Sequence, residues 1–201
     1  MTLPRRLTSL LVLLGCFALA VAVGAQAKTA RAAAMPGSEK AAVESGPQLI
    51  DLAGYQQMVA GYQGKALMVT FWATWCEPCR DEYPMIIELA KKYAPQGLVV
   101  VGISMDEKSD MNLVREFLEQ THPGFLNYVQ RPGIDVSAFY QGVNPDWHGT
   151  MPHTVFYGRD GHIARYLTGA SPKSAFEDAI QLILLKSGAQ NTGLSSPATG
   201  E

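Results

Sequence analysis

The sequence predicts an α/β fold, and three stretches carry that prediction. Residues 66–72 (Ala-Leu-Met-Val-Thr-Phe-Trp) form an unbroken β-branched, apolar and aromatic run that reads as a buried strand. Residues 81–93 place Ile86, Ile87, Leu89 and Ala90 on one helical face, and residues 98–103 are a second unbroken apolar run. A strand, a helix and a second buried strand in that order make a right-handed βαβ unit with parallel strands.

The remaining elements follow in order. Arg5 and Arg6 precede an uncharged, largely apolar run over 7–23, and Ala25-Gln26-Ala27 offers small residues for signal-peptidase cleavage. Three readings fit: a cleaved signal peptide over 1–27, an uncleaved membrane anchor, or a lipoprotein with lipid on Cys16. Bulky Leu14 and the apolar stretch after Cys16 disfavour the third. Each delivers the rest of the chain outside the cytoplasm. Residues 28–46, rich in Ala, Gly and Ser, read as a flexible linker, and 47–188 as the single domain. Within it, 48–50 reads as a short strand, and Asp51 caps a helix running to residue 60. Pro84 interrupts the helix over 81–93. A polar loop over 104–110 ends in Ser109 or Asp110 as cap of a helix over 111–120, with Leu113, Val114, Phe117 and Leu118 inward. Tyr128-Val129 reads as a strand, 134–140 as a brief helix, and 142–149 as a loop holding Trp147 and His148. Residues 154–157 and 162–167 flank Asp160-Gly161, a strong hairpin signal. Ser171 and Pro172 open a last helix to about residue 186, and 189–201 reads as a disordered tail.

Composition excludes little but is informative. A hydrophobic content of 47% supports a core, and a net charge of −2 gives no electrostatic case for nucleic acid. Of three cysteines, Cys16 lies in the targeting segment, which leaves Cys76 and Cys79 as a lone Cys-x-x-Cys between a strand and a helix. At a helix N-terminus, unpaired N–H groups and the dipole favour thiolate over thiol, so the pair reads as a redox-active dithiol. Structural zinc needs four ligands, and no second cysteine pair exists. A structural disulfide across so short a loop gains little from chain entropy.

These residues resemble the thioredoxin superfamily, and within it the TlpA/ResA-like exported thiol-disulfide oxidoreductases. The matching pieces are Phe71-Trp72-Ala73-Thr74-Trp75-Cys76-Glu77-Pro78-Cys79, Glu82 with Pro84, Gly149-Thr150-Met151-Pro152, and the Asp160-Gly161 hairpin. The resemblance implies a thioredoxin-like fold: a central mixed β-sheet flanked by helices, with an insertion over 104–149 before a cis-proline at Pro152. It also implies Cys76 as attacking and Cys79 as resolving sulfur, with Glu82 exchanging protons with Cys79. Thr70 stands where ordinary thioredoxins carry a buried acid. Trp75, Glu77, Pro78, Met151 and Pro152 are the expected substrate-facing residues, with Trp147 a further candidate rim. No cofactor beyond the Cys76–Cys79 disulfide is expected, and no metal.

Glu77 sets a negative charge beside the sulfur and opposes its thiolate, which predicts a couple nearer thioredoxin at about −270 mV than the oxidant DsbA at about −120 mV. His153 would partly offset this if Pro152 packs on the pair. The resulting expectation is a periplasmic or otherwise extracytoplasmic reductase of protein disulfides, of the cytochrome c maturation or copper-site assembly type. Its partners would be exported proteins with disulfides and a membrane thiol-electron donor. The alternative is a copper(I) chaperone using Cys76, Cys79 and His153 or His148. A peroxidase of the peroxiredoxin kind is disfavoured, because Thr74 lacks the upstream proline of that pattern.

Overall fold

The computed structural model describes residues 47–185. The proposed signal peptide or anchor, Cys16, the linker and the 189–201 tail lie outside the described residues.

Six strands form one sheet in the order β1-β4-β3-β2-β5-β6. These are β1 (Gln48–Ile50), β2 (Ala66–Trp72), β3 (Leu98–Ser104), β4 (Leu126–Gln130), β5 (His153–Tyr157) and β6 (Ile163–Thr168). Strands β1, β4, β3 and β2 run parallel to one another, while β5 is antiparallel to both β2 and β6, so the sheet is mixed. The helices are α1 (Leu52–Gly61), α2 (Glu77–Tyr93), α3 (Met111–Thr121), α4 (Val136–Val143) and α5 (Lys173–Leu185). Among the described residues no helix is long and apolar enough to cross a membrane.

All seven residues of β2 are buried because helices cover both faces of the sheet, which explains an apolar run without alternation. Ala66, Met68 and Trp72 face a core shared with α2, α3 and α5, built on Tyr83, Ile86, Val114, Phe176 and Ile180. Leu67, Val69 and Phe71 face the other core, shared with α1 and α4 through Tyr55, Phe139 and Val143. Thr70, where the buried acid of ordinary thioredoxins would stand, accepts a hydrogen bond at 3.2 Å from the Thr154 hydroxyl.

Several elements differ from the sequence expectation. Helix α2 begins at Glu77, four residues earlier than its apolar pattern, because Cys76 caps it and Pro78 falls in the first turn, where no N–H is needed. Asp110 stands at the cap position of α3 but makes no capping bond. Leu113 points away from the core and is 52% exposed, since α3 packs on the sheet through a narrow stripe around Val114. Helix α4 starts two residues late, at Val136, because Asp135 caps it by accepting from Ala138 N–H at 3.0 Å. Ser171 does not cap α5 through its side chain; its hydroxyl donates to the Gly169 carbonyl at 3.2 Å.

One close approach ties α2 to the sheet. Gly102 on β3 lies opposite Asn127 on β4, whose amide oxygen accepts from the Tyr83 hydroxyl at 2.9 Å. A Cβ on Gly102 would fall 2.0 Å from that oxygen, so only glycine leaves room for the bond.

Candidate active site

The chain leaves β2 at Trp72 and turns through Ala73-Thr74-Trp75 into the first turn of α2. Cys76 is the cap of that helix: its Sγ accepts the N–H of Cys79 at 3.3 Å, one of the four otherwise unpaired donors there. Cys76 and Cys79 are joined as a disulfide, and both belong to the core between the sheet, α2 and α5. Cys76 is 6% exposed and Cys79 2%, so Cys76 is the more accessible sulfur-bearing residue. Trp75, Glu77 and Pro78 are exposed around them.

Glu82, three residues past Cys79 on α2, is buried, with 9% of its surface exposed. Burial pushes its carboxyl up to about 7; the Ser171 N–H, donated to Oε2 at 3.3 Å, pulls weakly the other way. A solvated helix glutamate would have shown neither feature. Asp81 and Glu88, by contrast, are exposed, and Glu88 pairs with Lys173.

The Met151–Pro152 peptide bond is cis. Pro152 is buried, and half-buried Met151 packs against both cores, including the one that holds the disulfide. The loop before it is held by Trp147, whose indole N–H donates to the Thr150 carbonyl at 2.8 Å. Trp147 is fully buried and stacked on His153, with centroids 4.4 Å apart and planes at 8°. It therefore braces the proline loop from within and is no rim of a groove, contrary to the sequence expectation.

His153 also departs from expectation. It is completely buried, its Nδ1 lies 2.9 Å from the Thr168 hydroxyl, and burial pulls its pKa down to about 4. Its ring packs on Phe71 and Trp147, in the core that does not hold the disulfide, so it lends the sulfurs no positive charge. His148 is exposed, and the described residues gather no group of three or more His, Cys, Asp or Glu that could hold a metal ion.

The structure adds Asp106, which sequence reasoning left in a polar loop. Its carboxylate is fully buried two residues beyond β3. It accepts from the Thr74 N–H at 3.0 Å, the Thr74 hydroxyl at 2.5 Å and the Ser104 hydroxyl at 2.6 Å. Three donors satisfy one buried charge, and the turn before Trp75 and Cys76 is thereby pinned to the end of β3. The only sequence signal was an acid just after an apolar strand, which is equally the pattern of a solvated loop.

Comparisons with known proteins bear on the fold and the class of reaction. A profile of the AhpC/TSA family matches residues 39–166. Thiol-disulfide oxidoreductase ResA of Geobacillus thermodenitrificans is 29% identical over 151 residues, 73% of this chain and 82% of the relative. ResA of Bacillus subtilis is 26% identical over 135 residues, 67% of this chain and 70% of the relative. Among solved structures, a thiol:disulfide interchange protein of the thioredoxin family from Chlorobium tepidum is 26% identical. It superposes with a TM-score of 0.51 over 62% of this chain and 83% of its own.

Proposed function

We propose that this thiol-disulfide oxidoreductase, which belongs to the AhpC/TSA family, works outside the cytoplasm as a reductase of protein disulfides. The observation that carries the reading is the sulfur of Cys76 seated as the cap of α2, within reach of the Cys79 amide.

In the reduced enzyme, the helix N-terminus favours the Cys76 thiolate. That thiolate attacks one sulfur of a substrate disulfide; the substrate S–S bond breaks, and the departing sulfur takes a proton. Cys79, losing its proton, then attacks Cys76 Sγ. The mixed disulfide breaks, the second substrate thiol leaves reduced, and Cys76 and Cys79 are oxidised to their disulfide by two electrons. Glu82 is the group for the Cys79 proton: one helical turn beyond it, with a midpoint of about 7, it both accepts and returns a proton near neutrality. A dithiol donor, supplied across or from the membrane, reduces the disulfide again.

The reductive direction rests on two features. Glu77 sits in the first turn of α2 and sets negative charge beside the sulfur, and His153, packed on Phe71 and Trp147 of the core that does not hold the disulfide, does not offset it. A less stabilised thiolate makes a more reducing couple. Extracytoplasmic placement rests on the apolar run over 7–23, and haem-binding or copper-site thiols of exported proteins are the proposed targets. The test is the potential of the Cys76–Cys79 couple, with partner trapping by a Cys79→Ser variant. A value near −270 mV and an accumulating mixed disulfide on Cys76 are expected, on the scale where DsbA lies at about −120 mV. A potential near the DsbA end overturns the direction; failure to trap overturns the order of attack.

A further inference from the structure

The structure assigns a second binding site, at the end of the sheet away from the disulfide, for a small uncharged aromatic molecule that carries a carbonyl oxygen. A cavity of about 410 Å³ opens there between α1, the end of α4 and the hairpin that joins β5 to β6. Its volume lies within the range of about 300–1,000 Å³ usual for small-molecule sites. Tyr157, part of its wall, pairs with Leu67 near the start of β2, whereas Cys76 lies beyond the end of that strand. The cavity borders the core shared with α1 and α4, and the disulfide belongs to the other one.

Three observations carry the assignment. Tyr55 and Tyr157 both line the cavity, are 2% and 5% exposed, and hydrogen-bond to each other through their hydroxyls. Two hydroxyls bring two protons, and one bond between them uses a single proton. The accepting hydroxyl therefore keeps a proton of its own, and neither hydroxyl has another partner among the described residues. A buried donor left without an acceptor is costly, and the cavity is the side from which an acceptor reaches this one. Burial pushes the Tyr157 phenol up to about 12 and raises that of Tyr55 as well, so both remain donors near neutrality. Second, no Lys, Arg, Asp or Glu among the described residues lines the cavity, so a charged guest would lose its hydration and find no counter-charge. Third, Val59, Val143 and Ile163 supply apolar wall, and Ile163 is 39% exposed, apolar surface that a guest would cover.

The occupant is therefore a neutral ring compound whose carbonyl oxygen accepts the spare phenol proton, while its ring displaces water from Val59, Val143 and Ile163. The two phenol rings in the wall favour a planar aromatic body through offset and edge contacts. Binding transfers neither electrons nor bonds and needs no reduced cysteine, so the site is independent of disulfide exchange.

The test titrates three probes into the oxidised, isotope-labelled protein and follows amide chemical shifts. Acetophenone carries the carbonyl, α-methylstyrene replaces its C=O by C=CH₂ in the same shape, and benzoate adds a charge. Acetophenone is expected to shift Gln63, Gly161 and Ile163, which line the cavity. The same titrations on Tyr55→Phe/Tyr157→Phe remove both donors and keep the rings. Losing both partners of a buried bond together is nearly neutral for stability, so this variant folds, and its amide spectrum verifies that. The affinity of acetophenone relative to α-methylstyrene is expected to fall about tenfold in the double variant, the size of one well-made hydrogen bond. An unchanged ratio overturns the donor, and with it the carbonyl-bearing guest. Absence of shifts at the lining residues, or shifts confined to Trp75 and Cys76, overturns the site. Benzoate binding in the cavity more tightly than acetophenone overturns the uncharged guest. Each of these results leaves the reading of Cys76 and Cys79 untouched.

Discussion

Replacing Glu82 by Gln tests the buried acid beside the cysteines without disturbing its packing, since the amide keeps an oxygen for the Ser171 N–H. The folded carboxyl has its midpoint at about 7, against 4.5 as its ordinary value. At pH 6 it is about nine-tenths protonated folded and about 3% protonated unfolded, so folding takes up roughly one proton there. A group whose folded state holds the extra proton makes stability fall as pH rises, here between 4.5 and about 7, with no further change above. Allowing for screening at the solvent-facing edge of the carboxyl, the slope is about 1 kcal/mol per pH unit. His153 works in the opposite sense. Its pKa falls from 6.5 to about 4, so the unfolded chain holds the extra proton and stability rises with pH across that interval. In the native protein the two slopes largely cancel between pH 4.5 and 6.5. Glu82→Gln unmasks the histidine. Urea unfolding of the oxidised protein from pH 5 to 8 measures this directly, and the difference between the two stability curves isolates Glu82. A difference that stays flat across that range refutes the buried-acid account, and with it the proton role assigned to Glu82.

Two further outcomes follow from packing. Asp106→Ala strips the acceptor from the Thr74 N–H and from two hydroxyls, and is expected to cost about 3–5 kcal/mol in urea unfolding. Asp106→Asn, which retains one acceptor oxygen, loses less, and a loss below about 1 kcal/mol in Asp106→Ala would show that the carboxylate is not what holds the turn. Gly102→Ala drives a methyl to 2.0 Å from the Asn127 side-chain oxygen. It is expected to destabilise by about 1–3 kcal/mol, with Asn127→Ser in the same chain restoring much of the loss. A neutral Gly102→Ala would mean that Asn127 rotates freely away from Tyr83.

Much of this protein was legible in its residues. The apolar runs of β2 and β3 announced a sheet covered on both faces, and Asp160-Gly161 announced the antiparallel pair that makes it mixed. Cys-x-x-Cys between a strand and a helix located the two sulfurs that the structure joins, because local order alone brings a cap residue and a residue one turn later together. Glu82 was readable by its spacing from Cys79, though not its burial. What periodicity could not supply was the side chain's surroundings. Leu113 and Val114 are equally apolar neighbours, yet one is half-exposed and the other fully buried, because only contact with the sheet separates them. Trp147, His153 and Asp106 are the clearest cases. An aromatic in a loop, a histidine after a proline and an acid after a strand each have an exposed and a buried version with the same local sequence. The sequence by itself determined the order of elements and the position of the disulfide, since both rest on interactions between near neighbours. Tertiary structure alone decided that Trp147 braces the proline loop, that His153 stays neutral and that Asp106 pins the turn, because burial and distant hydrogen-bond partners exist only once the chain has closed.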